Sequence, residues 1–493
     1  MRTAIVGGGI GGLITALLLS KRGFSVDIFE KENKLGGRLA FVEKDGYKID
    51  EGPTIVLLPL MLERILDEAG ISASQYELIR CDPLYDIHFP DGTTYTKKAI
   101  EKDQLEEISR LFPGEQQNYR RFMTELKKRF ELGSKAFLEK TFVNKRDFWT
   151  WQNIKALKKM DANKSMRKFV STYFRDERLV DAYSLQSLYI GGNPYSAPAI
   201  YSLVPYSEHA HGIYYVKGGY ASLVPLLEKA LIEQGVNIHL NKAVQELSIS
   251  GDKTEGVIVD EKLYSFDQVV LNGDFPNMAK IARKKEKKYV PSSSCLLLYL
   301  GLKRKYDHHN VHQYFMGNDL AKHMEAVFKH KTIPEDPAIY TFNPSVIDPS
   351  LAPEGKSVLY ALIPVPSGGH IDWSNQQDFV DGIIRTLEEK GFDELRKKIE
   401  WVKVRTPNDA QAFGLYEGGS FGIAPELFQS GVFRPQYQPY EYKNVFAVGA
   451  SIHPGGGVPI VMQGAKMLAD HLIEQSSIIC SNGCKAFLRS CKP

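Results

Sequence analysis

The stretch TAIVGGGIGG, residues 3–12, decides the fold. A short apolar run leads into a cluster of glycines, and the segment Leu13–Leu19, apolar except for Thr15, follows. This order predicts a strand, a tight turn and a buried helix. In the spacing G-x-G-x-x-G, Gly7 allows the turn, Gly9 lets the backbone approach a pyrophosphate, and Gly12 lets the helix pack against the strand.

The start of that helix predicts a phosphate site, because a helix N-terminus presents unpaired N–H groups and a partial positive charge. A second predicted strand, Val26–Phe29, ends at Glu30, where a carboxylate can accept hydrogen bonds from ribose hydroxyls. This context favours dinucleotide binding over a fortuitous glycine turn. The residues predicted to hold this end of the dinucleotide are Gly7, Gly9, Ile10, Gly11, Gly12, Glu30 and Lys31.

Two further turns favour FAD over NAD. Lys34–Arg38 contains a glycine pair that permits close backbone passage, and its arginine can reach a pyrophosphate or the edge of a flavin. Asp50–Thr54 presents another glycine turn soon afterwards. The alternative is two surface turns with an exposed arginine. These segments add Gly37, Arg38, Gly52, Pro53 and Thr54 to the predicted FAD site.

The other end of the chain supplies a matching piece. A predicted strand, Val445–Val448, leads through a glycine-rich turn into a helix that begins near Val458, with a proline just inside its start. That helix N-terminus can stabilise the anionic reduced flavin ring. An ordinary strand–turn–helix that closes the domain is the alternative. The residues added to the FAD site here, together with one from the predicted strand 243–249, are Gly449, Ala450, Gly457, Val458, Pro459 and Val244.

The sequence therefore predicts an α/β fold with α+β elements. It combines a discontinuous, Rossmann-like FAD-binding domain with a second, mixed or antiparallel sheet domain for substrate and a helical insertion. The predicted boundaries are 1–75, 215–275 and 440–475 for the FAD-binding domain, 76–102 and 276–439 for the substrate domain, 103–214 for the helical region and 476–493 for a flexible tail.

Composition limits the partners. A net charge of +3 over 493 residues provides no global field for nucleic acid. The odd set of five cysteines, three of them at Cys480, Cys484 and Cys491, lacks a spaced ligand set, so we expect no metal site. The absence of a signal peptide and of an apolar run long enough to span a bilayer predicts a cytoplasmic protein, with peripheral membrane association still open.

One segment, 141–168, favours a membrane surface. It carries eight basic residues against two acidic ones, a net charge of +6, interleaved with Phe142, Phe148, Trp149 and Trp151. Lysines meet anionic headgroups, and tryptophans sit at the membrane interface. A solvated helical surface is the alternative, and nucleic acid is a third and poorer one.

The pieces together, in this order, resemble the carotenoid (phytoene-type) desaturases of the flavin amine-oxidase-like superfamily. The specific element is VGASIHPGGGVP at 448–459, supported by YVKGG at 215–219. The likeness is greatest to bacterial C30 diapophytoene desaturases. It is carried by Tyr189–Gly191, Ile200–Ser202, Arg405–Asp409 and the segment from Ser420–Gly422 to Arg434–Gln436. A sister branch, the diapolycopene oxygenases, departs around 418–436, where this sequence is desaturase-like.

The resemblance implies FAD-dependent desaturation of an apolar C30 polyene, 4,4'-diapophytoene, by hydride transfer to flavin, with electrons passing to oxygen or a quinone. Glu208 matches a family acidic position and could stabilise an allylic cation, and His453 could contact flavin or substrate. A helix-surface glutamate and a structural turn histidine are the alternatives. Competing functions are a diapolycopene oxygenase, an isomerase that uses reduced flavin, and a flavin-bound carotenoid carrier without turnover. The oligomeric state stays open.

Overall fold

The computed structural model describes residues 1–369 and 371–490, without the side chains of Lys145 and of residues 479–490. The strands are β1 (Arg2–Val6), β2 (Ser25–Phe29), β3 (Phe41–Lys44), β4 (Tyr47–Asp50), β5 (Leu78–Arg80), β6 (Tyr85–His88), β7 (Thr94–Lys97), β8 (Tyr214–Val216), β9 (Asn237–His239), β10 (Val244–Ser250), β11 (Lys253–Val259), β12 (Lys262–Ser265), β13 (Gln268–Leu271), β14 (Ser294–Leu302), β15 (His312–Phe315), β16 (Ile339–Phe342), β17 (Ser357–Val365), β18 (Ile399–Arg405) and β19 (Val445–Ala447).

The helices alternate with these strands in the cofactor half and cluster between β7 and β8. They are α1 (Ile10–Ser20), α2 (Pro59–Ala69), α3 (Glu101–Leu111), α4 (Gln116–Gly133), α5 (Lys145–Phe148), α6 (Trp151–Lys159), α7 (Met166–Val170), α8 (Glu177–Ala182), α9 (Leu203–His211), α10 (Leu223–Glu233), α11 (Phe275–Ile281), α12 (Leu320–Met324), α13 (Gln377–Glu389), α14 (Leu395–Lys398), α15 (Pro407–Phe413) and α16 (Val458–Ser490).

A five-stranded parallel sheet in the order β19-β13-β1-β2-β9 forms the first unit. Its strands come from three separate stretches of the chain. The helix α1 is apolar on nearly every face because it packs against this sheet, α10 and α16. The antiparallel sheet β10-β11-β12 packs against the five-stranded sheet. The hydrophobic core between them includes Ala4 and Val6 of β1. The strand–turn–helix–strand start predicted from residues 3–29 is therefore present.

A seven-stranded mixed sheet in the order β18-β14-β17-β16-β15-β6-β7 forms the second unit. Its pairs are antiparallel except for β15 with β6. All nine residues of β14 are buried, because α13 helps to cover one face and the aromatic core beneath the helical region covers the other. The helices α3 to α9 lie between β7 and β8, and all but the first two residues of α3 fall within the stretch 103–214 predicted to be helical. The exact domain boundaries stay predictions.

The chain's last segment bears on two predictions. The helix α16 continues to Ser490, into the stretch predicted as a flexible tail, while residues 491–493, with Cys491, lie outside the described residues. The side chains of Cys480 and Cys484 lie outside them too, so the expected lack of a metal site there stays a prediction. Within the described chain, no helix combines the length and hydropathy that crossing a membrane requires.

Candidate active site

A cavity of about 760 Å³ is lined by residues of both units. Its wall includes both glycine-rich turns and side chains from the second sheet and the helical region. Of the predicted cofactor residues, those that line it are Gly7, Gly9, Ile10, Gly11, Glu30, Lys31, Gly37, Arg38, Gly52, Pro53, Thr54, Val244, Gly449, Ala450, Gly457, Val458 and Pro459. Residues far apart in sequence are thus brought to one wall.

The first glycine turn is shaped for close packing. Gly7 adopts a φ of +104°, which favours glycine, and a Cβ on Gly12 would lie 2.5 Å from the carbonyl oxygen of Gly7. Gly12 does not line the cavity; it lets α1 approach β1, which is the role its spacing predicts. The Asn272 amide donates to the carbonyls of Gly7 (2.8 Å) and Gly9 (3.1 Å) and so fixes the turn.

The N-terminus of α1 fits an FAD pyrophosphate. Its N-cap, Gly9, makes no side-chain capping hydrogen bond, and no acidic residue lies in the first turn. Ile10 and Gly11, the first helical residues, line the cavity. The N–H groups of a helix's first turn need acceptors, and a phosphate supplies them together with the charge that the helix dipole favours.

The Glu30 carboxylate stabilises the first glycine turn through hydrogen bonds to the backbone. Its Oε2 accepts a hydrogen bond from the Gly8 N–H (2.6 Å), and its Oε1 accepts one from the Glu32 N–H (2.9 Å). The residue is buried but still lines the cavity, so a ribose hydroxyl can add to these bonds. Lys31 instead donates to the carbonyl of Phe413 at the rim. Their roles in binding FAD stay predictions.

Arg38 lies in the cavity wall rather than on an outer surface turn. It donates to the carbonyl of Ser420 (2.9 Å) and forms no ion pair with any described residue. Burial lowers the pKa of its guanidinium, and the nearby Asp274 carboxylate opposes that shift. A Cβ on Gly52 would lie 2.4 Å from the carbonyl oxygen of Arg38, so the second turn must be glycine there. A half-buried cation without an anionic partner among the described residues suits a pyrophosphate ligand.

The C-terminal turn reaches the same cavity. β19 ends at Ala447, Gly449 adopts a φ of +136°, and α16 begins at Val458 with Pro459 as its second residue. The start of α16 thus lines the same cavity as the start of α1, and its predicted role at the flavin ring stays a prediction. Each turn presents backbone and little side chain to the cavity, which suits a large planar cofactor with a charged linker.

Glu208 is neither a surface residue nor part of the cavity wall. It is fully buried on α9, where its Oε2 accepts from the Tyr85 hydroxyl (2.8 Å), lies 3.2 Å from Lys97 Nζ and lies 3.3 Å from Gln186 Nε2. Tyr85 packs edge-on against Tyr314, which does line the cavity. The surface alternative is therefore wrong, and a catalytic role for Glu208 stays a prediction.

His453 is buried and lines the cavity. Its Nε2 lies 2.8 Å from the carbonyl oxygen of Lys140, an acceptor, so Nε2 carries the proton and Nδ1 keeps a lone pair. Burial lowers the pKa of His453 to about 4, so the ring is neutral at pH 7. It is placed to contact a ligand, as predicted, although this role stays untested.

Comparison with known proteins identifies the family. Residues 10–473 match the flavin containing amine oxidoreductase family. The chain belongs to that family. It is 55% identical over 476 residues, covering 96% of this chain and 97% of the relative, to a 4,4'-diapolycopen-4-al dehydrogenase of Metabacillus indicus.

Two further relatives carry desaturase names. The chain is 35% identical to a zeta-carotene-forming phytoene desaturase of Myxococcus xanthus, covering 96% of this chain and 94% of the relative. It is 32% identical to a 4,4'-diapophytoene desaturase (4,4'-diaponeurosporene-forming) of Staphylococcus aureus strain Newman, covering 96% and 99%. The predicted membership of the carotenoid desaturase group is confirmed.

Solved structures confirm the fold class. A putrescine oxidase has a TM-score of 0.64 at 13% identity, covering 96% of this chain and 99% of that one. The cyclohexylamine oxidase of Brevibacterium oxydans IH-35A has a TM-score of 0.63 at 13% identity, covering 97% and 99%. As a member of this flavin-containing family, the chain is an FAD-dependent oxidoreductase, which confirms the predicted cofactor and enzyme class.

Sequence reasoning missed several residues of this flavoprotein's cavity. Asn272 directly follows the predicted strand Gln268–Leu271, and a polar residue at the carboxyl end of a parallel strand was a usable signal. Arg405 and Arg434 line the cavity, although they entered the sequence argument only as points of resemblance. Nothing in their local sequence marks them, because the rest of the cavity wall comes from distant parts of the chain.

The described surface also carries an exposed aromatic patch, formed by Trp149, Trp151, Phe428 and Phe433. Trp151 is 80% exposed and Phe428 is 75% exposed. The rings of Trp149 and Phe433 lie 6.1 Å apart, and those of Phe428 and Phe433 lie 5.5 Å apart. Phe433 also lines the cavity, so the aromatic patch adjoins the cavity's mouth. Only its first half, in segment 141–168, was predicted.

Proposed function

We propose that this oxidoreductase dehydrogenates a C30 carotenoid at FAD. The observation that supports this most is the division of the cavity wall. Apart from Arg434, its charged residues come from the two glycine-turn regions and the segments beside them, whereas the rest is apolar or neutral. The far wall includes Leu188, Tyr189, Leu297, Tyr314, Ile339 and Leu362. A hydrocarbon offers no polar handle, so such walls must position it.

The chain's own residues orient the substrate and exclude water, since the flavin, when bound, supplies the redox chemistry as a two-electron acceptor. Desaturation removes two hydrogens from adjacent carbons, one as a hydride and one as a proton. Holding the reacting bond against the cofactor converts an encounter into an intramolecular step. The acceptor that reoxidises the flavin, oxygen or a quinone, stays a prediction.

Anaerobic incubation of the FAD-loaded protein with 4,4'-diapophytoene tests this proposal. We expect bleaching of the flavin absorbance and new absorbance bands of a longer conjugated system. Protein without FAD is the control, since it should give neither signal. Failure of every C30 carotenoid to bleach the flavin would overturn the proposal.

A second candidate reaction is oxidation of a terminal aldehyde on such a carotenoid. It is favoured by the 55% identity to a relative named 4,4'-diapolycopen-4-al dehydrogenase. Here the aldehyde and one water give a carboxylic acid, with two electrons and one proton passing to the flavin and one proton released. Parallel reactions with 4,4'-diapophytoene and 4,4'-diapolycopen-4-al, with products separated by chromatography, distinguish the two. Gain of an oxygen atom supports aldehyde oxidation, and loss of two hydrogens supports desaturation.

We also propose that the aromatic patch docks on a membrane, the source of so apolar a substrate. Lys155, Lys158 and Lys159 are exposed on α6 beside the patch residue Trp151, and none forms an ion pair with a described residue. Aromatic rings beside unpaired cations suit an anionic bilayer interface. Because the patch adjoins the cavity, docking would place the entrance against the lipid.

Vesicle sedimentation tests the docking face. We expect the protein to bind vesicles containing phosphatidylglycerol, and Trp151→Ser with Phe428→Ser to release it. The matched controls are Ile232→Ser and Leu263→Ser, which remove exposed apolar side chains from α10 and β12. Equal loss of binding in both pairs, or none in either, would contradict this face.

A further inference from the structure

We infer that Arg434 and His453 form a recognition site for an oxygenated end group, a hydrated aldehyde or a carboxylic acid, on the carotenoid. This deepens the proposed function and rests on it. Both residues are buried and both line the cavity. The cavity wall also includes the apolar side chains of Phe148, Leu427 and Phe433, together with the hydroxyl groups of Tyr201 and Ser430.

Arg434 is a buried cation that lacks a counter-charge. One terminal nitrogen donates to the carbonyl of Ala450 and the other to that of Gln429, while Nε has no hydrogen-bond partner among the described residues. It forms no ion pair with any described carboxylate. Two carbonyl dipoles offset the loss of hydration only in part, so the guanidinium still favours an anionic or strongly polar ligand.

Asp274 does not fill that need. Its charge acts on Arg434, but its own oxygens accept from the Ser451 hydroxyl (2.6 Å) and the Tyr416 N–H (2.9 Å). Tyr201, another neighbour, shares a hydrogen bond with Ser430 (2.7 Å). The groups around the guanidinium are thus already engaged, and its Nε–H is left without a partner for a ligand to accept from.

His453 supplies the complementary group. Its Nδ1 keeps a lone pair and has no hydrogen-bond partner among the described residues. Two hydrogen bonds join the segment of His453 to that of Arg434. The His453 N–H donates to the carbonyl of Pro435 (2.8 Å), and the Arg434 guanidinium donates to the carbonyl of Ala450. A donor and an acceptor therefore lie on two facing segments. A hydrated aldehyde or a carboxylic acid, with both a hydroxyl and a second oxygen, can engage the two together.

A pure hydrocarbon would bury both groups unpaired. Leaving a buried polar group unsatisfied is costly, and sites built to hydrogen-bond a ligand reject analogues that lack the matching group. The wall at Arg434 and His453 therefore discriminates between oxygenated and unoxygenated ends of otherwise equal C30 chains.

Binding to the FAD-loaded protein tests this inference without turnover. The probes are 4,4'-diapolycopene, 4,4'-diapolycopen-4-al and the corresponding carboxylic acid in detergent micelles, with tryptophan quenching as the readout. We expect the oxygenated probes to bind about tenfold more tightly than the hydrocarbon. Equal affinity for all three would overturn the inference but leave the proposed function standing, whereas binding of none would overturn the proposed function.

Variants locate the effect. In Arg434→Met the tenfold preference should vanish while hydrocarbon affinity and FAD content stay unchanged, and Arg434→Lys should keep part of it. Arg385→Met, which removes an exposed arginine on α13, is the matched control and should keep the preference. Loss of FAD from Arg434→Met would assign the arginine to the flavin instead and overturn the inference. If Arg434→Met does not fold, the comparison of probes on the unmodified protein still decides.

Discussion

The cofactor half and the apolar half of the cavity are built by different means. In the cofactor half the glycine turns bring backbone to the surface and leave no room for further side chains. A Cβ on Gly52 would lie 2.4 Å from the Arg38 carbonyl oxygen, and one on Gly12, behind the wall, would lie 2.5 Å from that of Gly7. In the apolar half the surface is made by side chains of the second sheet and helical region, such as Leu297 and Tyr314. A backbone site tolerates almost no substitution, whereas a side-chain wall depends on what supports it from behind.

The buried ion pair behind the apolar wall gives the largest expected effect. Lys97 and Glu208 are both fully buried, and burial lowers the pKa of the lysine while Glu208 opposes that shift. We expect Lys97→Met to lower the free energy of unfolding by about 3–5 kcal/mol, because it strands a buried carboxylate. Urea unfolding measures this.

Two variants serve as controls for that expectation. Lys102→Met removes a lysine from an exposed pair with Glu106 and should leave stability nearly unchanged. Lys97→Met combined with Glu208→Leu removes both charges and should recover part of the loss. A Lys97→Met protein as stable as the parent would show that the apolar wall does not depend on the pair.

The glycine turn gives the next largest effect and probes the other half. We expect Gly12→Ala to lose FAD during purification and to lower stability by about 1–3 kcal/mol, because the new methyl group overlaps the carbonyl of Gly7. FAD absorbance per protein and thermal unfolding measure the two losses. The matched control is Gly382→Ala on α13, where a Cβ meets no heavy atom within 4 Å and helix propensity favours alanine. Full FAD retention in Gly12→Ala would contradict a backbone-built site.

The same difference explains what sequence could predict. The sequence predicted the start of α1 and the turn before α16 because their glycines lie close together in the chain. Their spacing alone indicates where the backbone must pack closely. The setting of Glu208 could not be found, because its partner Lys97 lies 111 residues away and the two side chains meet only in the folded chain. The aromatic patch was half found for the same reason, since Phe433 meets Trp149 only in the folded chain.

The pH dependence of the free energy of unfolding gives the smallest expected effect. It tests whether the two halves of the cavity differ in the charge of their buried groups. The cofactor half contains charged groups, such as Arg38, whereas the buried His312 beside the apolar half is neutral at pH 7. His312 is fully buried, stacks on Phe342 and shares a hydrogen bond with the Tyr340 hydroxyl (2.8 Å). Burial lowers the pKa of His312 from 6.5 to about 3.

The sign follows from that shift. Between pH 6.5 and about 3 the unfolded chain binds a proton at this position and the folded chain does not, so stability falls as the pH falls. Between pH 6.5 and pH 5.5, His312 should lower the free energy of unfolding by about 1 kcal/mol. Urea unfolding at pH 6.5 and 5.5 measures this decrease. It should be absent in His312→Gln and present in His308→Gln, the control at an exposed histidine. If His312→Gln kept the full pH dependence, the ring would already be charged within the apolar half, and the contrast between the two halves would fail there.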